Sequence, residues 1–248
     1  MTLSQAAVLA ASAVAAGIVN AIAGGGTLIT FPALLATGVP AVAANATNTV
    51  ALFPGQLASS VAYRSHLADE RHRALVLAVP SLLGGIVGAV LLLYLPERMF
   101  EAIVPWLILF ACVVLALQTQ LKRLVSGARH ANSPGAIWIA QFLISVYGGY
   151  FGAGIGILML AAMGILIPSS IQHANALKVL LSLLINGIAA VIFVAHGAVH
   201  APEAVLMAVC SIVGGFAGAR LAQRLPPAGM RGFAIAVGLY AAGRMFLR

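Results

Sequence analysis

Ser81-Leu-Leu-Gly-Gly-Ile-Val-Gly-Ala89 and Ser211-Ile-Val-Gly-Gly-Phe-Ala-Gly-Ala219 are one motif written twice in the same chain. Around the two copies the correspondence continues at a single offset. Leu95-Pro96 answers to Leu225-Pro226, Ala44-Asn45-Ala46 to Ala174-Asn175-Ala176, and His66 to His196. With a two-residue slip, Gly24-Gly25-Gly26 answers to Gly152-Ala153-Gly154 and Pro40 to Pro168. Sequence rich in Ala, Gly and Leu produces chance matches, but a shared offset across most of each half does not arise that way. The expected organisation is therefore a duplication: a first repeat over residues 1–121, a cytoplasmic linker over 122–133 and a second repeat over 134–248. Gly84 and Gly88, like Gly214 and Gly218, are spaced to lie on one helical face. Small residues at that spacing let helix backbones approach closely in lipid.

The medium follows from composition. Of 248 residues, 62% are hydrophobic and 7% charged; a soluble domain carries roughly 25% charged residues. The mean hydropathy of +1.07 agrees. So few charges cannot cover a water-exposed surface, and the bilayer becomes the solvent. Apolar runs lie near 3–23, 27–37, 45–63, 74–95, 99–121, 135–151, 155–167, 175–195, 203–222 and 230–247. They are continuous rather than alternating, which predicts helices and not a membrane β-barrel. The fold class expected is an all-α polytopic membrane protein with about eight to ten membrane segments. Two segments, 27–37 and 155–167, are too short to span as straight helices. Each follows a glycine cluster and ends near a proline, the pattern of a broken or re-entrant helix.

The net charge of +8 does not indicate nucleic acid, because the arginines flank apolar segments, as cytoplasmic loops do. Arg64, Arg71 and Arg73 follow the third segment of the first half, whereas the matching region near 196–203 has no Arg or Lys. The next connection reverses this, with Glu97 and Arg98 against Arg220, Arg224 and Arg231. Corresponding loops on opposite sides imply inverted-topology repeats, with an odd five segments per half; a parallel four-plus-four arrangement is the alternative. Lys122, Arg123 and Arg129 then place the linker inside. Cys112 and Cys210 lie in apolar runs and read as packing residues. No charged region precedes the first apolar run, so no cleaved signal peptide is expected.

Polar groups within apolar runs are costly in lipid and so must face protein or water. Glycine lets a backbone leave helical geometry and approach a ligand, and broken helices at matching places in two halves mark a transporter site. The candidate substrate-binding set is Gly24, Gly25, Gly26, Thr27, Asn45, Thr47 and Asn48 in the first half. In the second half it is Gly152, Gly154, Gly156, His173, Asn175 and Lys178. Lys178 is the lysine inside a predicted span, and its offset partner is Asn48. All five acids (Asp69, Glu70, Glu97, Glu101 and Glu203) fall in loops or at segment ends. The simplest partner for Lys178 is therefore an anionic substrate, against the alternative that it snorkels to the interface. His173 is set to donate to an anion or carry a proton, or else to sit at the interface. Thr47, Asn48 and Thr49 also suit helix capping. With no carboxylate in a span, coupling would rest on backbone carbonyls, His173 or Lys178, or the protein is a uniporter or channel.

Ala23-Gly-Gly-Gly-Thr-Leu-Ile-Thr-Phe-Pro-Ala-Leu-Leu35, then Gly38-Val-Pro40 and Ala44-Asn-Ala-Thr-Asn48, resembles the first repeat of the TauE/SafE (sulfite exporter, TSUP) permeases. Phe151-Gly-Ala-Gly-Ile-Gly156 with His173-Ala-Asn175 resembles the second. The resemblance covers almost the whole chain. It implies transport of small sulfur-containing anions such as sulfite, thiosulfate or organosulfonates, across a bacterial inner (cell) membrane. The first motif reads Gly-Gly-Gly-Thr where many relatives carry a longer glycine run.

Three classes compete. A permease with alternating access leads, with an anion channel beside it. An intramembrane enzyme is disfavoured, because there is no Gly-x-Ser-x-Gly elbow, no acid in a span to act as base and no His/Cys cluster at metal-ligand spacing. A non-transporting membrane scaffold would show a core without a polar cavity. Expected partners are a small anion and membrane lipid, with no nucleic acid and no cofactor. A homo-oligomer is left open.

Overall fold

A computed structural model describes residues 1–22, 25–61, 70–121, 134–166, 171–221 and 227–247. Gly24, the 122–133 linker, His66 and Pro168 therefore lie outside the described residues. Among the described residues ten helices run in order: α1 (Leu3–Ile22), α2 (Thr27–Ala36), α3 (Ala41–Val61), α4 (Arg71–Tyr94), α5 (Glu97–Ala116), α6 (Pro134–Tyr150), α7 (Ile155–Leu166), α8 (Ile171–Ala195), α9 (Ala201–Leu221) and α10 (Pro227–Phe246). The chain is an all-helical multi-pass membrane protein. α1, α4, α5, α8 and α9 each hold a stretch long and apolar enough to cross a bilayer. Leu75, Trp106, Val205, Phe216 and Tyr240 stand exposed, large apolar side chains of the kind that lipid covers.

The short helices have 10 residues in α2 and 12 in α7, about 15 Å and 18 Å at 1.5 Å per residue. α2 doubles back on α1. Its last turn reaches the start of α1, where Gln5 Nε2 donates to the Thr37 carbonyl at 3.0 Å. α3 and α8 begin earlier than the apolar runs suggested, at Ala41 and Ile171. Asn45, Thr47, Asn48, His173, Asn175 and Lys178 therefore lie inside helices rather than at their caps. Packing against neighbouring helices supports turns that hydropathy alone does not extend. The same polar residues dilute α3, which carries less apolar character than the five helices above.

Exchanging α1–α5 for α6–α10 maps the main helix contacts onto one another. α1 on α9 becomes α6 on α4, α3 on α9 becomes α8 on α4, and α2 on α3 becomes α7 on α8. The contacts of α3 with α8 and of α5 with α10 map onto themselves. On the α3–α8 contact, Asn186 Nδ2 donates to Gln56 Oε1 at 2.9 Å, between residues 130 apart in sequence. That separation is the one between Ser81 and Ser211, so the two partners are equivalent residues of the two halves.

The duplicated glycine motif explains the tightest crossings. Cβ atoms built at Gly84 and Gly88 would meet Ser145 Cβ at 2.6 Å and Tyr150 N at 2.7 Å; one at Gly17 would meet the Ser211 carbonyl at 2.6 Å. At the α4–α6 crossing Gln141 Nε2 also donates to Ser81 Oγ at 2.8 Å. Contact positions rise together along both chains, so α4 and α6 run parallel. α5 and α10 run antiparallel: Arg231 donates to Thr119 Oγ1 at 2.7 Å near one end, and Trp106 meets Phe246 at 5.1 Å near the other.

Candidate functional site

Two glycine turns build the site. Gly25 (φ +95°), Gly152 (+82°) and Gly154 (+78°) adopt left-handed backbone, which L side chains rarely tolerate. Gly26 follows, and its N–H donates to Asn20 Oδ1 at 2.7 Å. A Cβ at Gly26 would lie 2.7 Å from the Ala16 carbonyl, so only glycine lets the turn fold back onto α1. Thr27, half-buried, then opens α2. In the second half Tyr147 Oη donates to the Ala153 carbonyl at 2.6 Å and pins the turn before α7.

The two turns come together on one helix. A Cβ built on Gly25 would lie 3.0 Å from Leu115 Cδ2, and one on Gly154 would lie 3.8 Å from Val114 Cγ1. Leu115 and Val114 are consecutive residues of α5. Phe31 of α2 packs edge-on against Phe151 of the second turn at 5.5 Å, and Phe100 does the same against Tyr150 at 5.5 Å. Halves distant in sequence thus share one wall.

Polar side chains surround this wall. Asn48, buried in α3, receives the Thr30 hydroxyl of α2. Asn45, 1% exposed, donates from Nδ2 to the Tyr150 carbonyl at 2.9 Å. Among the described residues its Oδ1 has no hydrogen-bond partner, and neither does the buried Tyr150 hydroxyl. Thr47, next to Asn48 in α3, ties the helix to the start of α9, its Oγ1 accepting the His200 N–H at 2.9 Å. Lys178 lays its stem across the first turn of α7, where a Cβ on Gly156 would lie 3.1 Å from its Cδ. His173 is placed elsewhere: its Nδ1 is 3.4 Å from Glu70 Oε1. Nothing is described of the Asn175 side chain. Among the described residues no group of three His, Cys, Asp or Glu could hold a metal ion.

The electrostatic sense of the second turn is clear. The N-terminal end of a helix carries partial positive charge from its unsatisfied N–H groups. A lysine stem crosses that end, the reverse of the usual preference for acids there. The pair of positive sources suits an anion.

Three residues lie outside the candidate set. Gln56 and Asn186 are polar residues within apolar runs, and their pairing shows that they are equivalents. Glu70 was set among the loop acids and is instead 8% exposed. The signal for it was its spacing from Arg73, repeated as His200 and Glu203 in the second half.

The fold and site define a duplicated, helical integral membrane protein with two glycine-broken hairpins joined at one apolar wall flanked by polar side chains. The sequence profile of the sulfite exporter TauE/SafE family matches residues 9–245, and the chain belongs to that family. It is similar to "Probable membrane transporter protein ORF9" of a Sinorhizobium species, 28% identical over 84% of this chain and 79% of that one. It is also similar to "Probable membrane transporter protein YfcA" of Escherichia coli K12, 29% identical over 86% and 77%. A "Probable membrane transporter protein" of Haemophilus influenzae is 29% identical over 66% and 65%. No solved structure matches the chain significantly.

Proposed function

We propose that the protein is a bacterial inner-membrane permease for small sulfur-containing anions of the sulfite, thiosulfate or organosulfonate class. It works by alternating access between two inverted repeats, with Lys178 as the substrate's counter-charge. The observation that carries this is the Lys178 stem lying on Gly156 at the positive end of α7, beside two glycine turns that meet at Val114 and Leu115. Family membership and the relatives' names support transport rather than catalysis. The inverted relation is supported by the antiparallel run of α5 and α10, which are equivalent helices of the two halves. The return of α2 to the start of α1 fits the odd segment count.

In proteoliposomes, sulfite, thiosulfate and sulfoacetate are expected to show saturable flux and to compete with one another. Flux that never saturates would make the protein a channel, and none for any anion would favour a scaffold. Topology has its own test, in protein carrying Cys112→Ala and Cys210→Ala. An impermeant maleimide should label Arg71→Cys from the cytoplasmic side and Pro202→Cys from the other. Labelling of both from one side would end the inverted arrangement.

A further inference from the structure

Glu70 sits at the N-terminal end of α4 and is nearly buried. Its carboxylate does not cap the helix. Instead both oxygens lie 3.2 Å from Arg73 Nη1, and Oε1 lies 3.4 Å from Nδ1 of His173 in the first turn of α8. The contact joins helices of different halves. The offset that equates α4 with α9 equates Glu70 with His200 and Arg73 with Glu203. There His200 Nδ1 is 3.9 Å from Glu203 Oε2, and α9 is held to α3 by the neutral bond from His200 N–H to Thr47 Oγ1. Each of the equivalent crossings, α4 on α8 and α9 on α3, is thus tied at the start of a helix. One tie is ionisable and the other is not.

We propose that Glu70 and His173 form a proton-binding latch between the two halves, through which proton binding controls permeation. The proposal rests on the permease reading for its consequence, though not for its geometry. The latch holds while Glu70 is ionised and His173 protonated. A proton taken up by the carboxylate, or lost from the imidazolium to water, removes one of the two charges and loosens the first turn of α8 from Glu70. The pair therefore needs a carboxyl that has lost its proton and an imidazole that has gained one. The His173 side chain is 31% exposed, so water delivers the proton. Among the described residues the charged and titratable groups near the pair are Arg71, His72 and Arg73 on α4 and Lys178 on α8. Of the described helices packed on these two, α3 and α7 carry no titratable side chain and α6 carries Tyr147 and Tyr150. Arg73 keeps its charge throughout.

The test is amide hydrogen exchange on purified full-length protein without added anion, comparing wild type with Glu70→Gln at each pH. At mildly acidic pH the first turns of α8 should exchange about two- to fivefold slower in wild type, the range for a partly exposed ion pair. At alkaline pH the two should agree. Glu70→His combined with His173→Glu should restore the protection, which a merely structural role for Glu70 would not give. A difference of constant size at every pH, or none at any pH, overturns the latch. Sulfite flux in proteoliposomes then separates the two claims. A pH profile flattened by Glu70→Gln supports both, an unaltered profile overturns the control of permeation, and absent sulfite flux counts against the permease reading while exchange still judges the latch.

Discussion

Gly214→Ala is expected to destabilise the protein severely, and Gly215→Ala, one residue along the same motif, to leave it intact or slightly more stable. A Cβ at Gly214 would run into the Val14 carbonyl and lie 2.9 Å from Val14 Cα, whereas one at Gly215 meets nothing within 4 Å. The atoms opposing Gly214 are backbone, so no rotamer change relieves the overlap; α1 and α9 must separate along their whole crossing. Overpacking of a tight interface costs about 1–3 kcal/mol, occasionally more. In lipid no hydrophobic effect draws helices together, so close packing supplies much of what holds them. Gly215→Ala removes only the helix penalty of glycine, about 1 kcal/mol. Gly88→Ala should repeat the Gly214 result on α4 against α6, where the added Cβ would overlap the Val146 carbonyl and lie 2.7 Å from Tyr150 N. Thermal unfolding of the purified variants, followed by size-exclusion, measures all three. Equal melting of Gly214→Ala and Gly215→Ala would show that the α1–α9 crossing is looser than the structure has it.

The same motif shows why much of the fold was legible in sequence. Gly84, Gly88 and Gly214 are small because backbones touch there, and that requirement appears in composition and spacing without knowledge of the partner helix. Helix positions followed from hydropathy, since lipid leaves a continuous chain few alternatives. The starts of α3 and α8 did not. Asn45 and His173 look like boundary residues in a hydropathy profile, and only contacts from other helices carry the helix past them. The partners of polar side chains were equally hidden. Asn45 bonds to Tyr150 and Thr47 to His200 across more than a hundred residues, and no local spacing encodes such pairs. Glu70 is the instructive case: beside Arg71 and Arg73 it reads as a solvated loop acid, yet the fold turns it toward His173. The glycine turns were visible because φ > 0 demands glycine. Their convergence on Val114 and Leu115 depends on a helix whose sequence there is plain hydrocarbon.

Lys178→Met is expected to remove the response to anions while raising the melting temperature of the empty protein. The two effects have opposite signs, and together they separate a counter-charge from a structural lysine. An ammonium held within the membrane region costs roughly 2.5–3.5 kcal/mol, less whatever its polar surroundings return. Methionine fills a similar volume without that cost and still packs across Gly156, so the unliganded variant should melt higher. In wild type, an anion that binds only the folded state stabilises it as its concentration rises, by about 2.7 kcal/mol at a hundred times Kd. On the proposed reading the lysine supplies the charge that draws the anion to the first turn of α7, while a helix end alone contributes much less, about 0.3–1 kcal/mol. The variant should therefore lose most of the concentration-dependent shift. The assay runs wild type, Lys178→Met and Lys178→Arg against sulfite, thiosulfate, sulfoacetate, sulfate and chloride, with melting followed at several concentrations of each. Lys178→Arg keeps the charge and should retain part of the shift, reduced because the guanidinium is bulkier and its stem must still cross Gly156. A sulfur oxyanion that stabilises wild type and the methionine variant equally would take Lys178 out of the site and leave the glycine turns to bind on their own. If no anion stabilises any of the three proteins, an anionic substrate loses its support, and Lys178 becomes a lysine reaching from α8 toward the membrane surface.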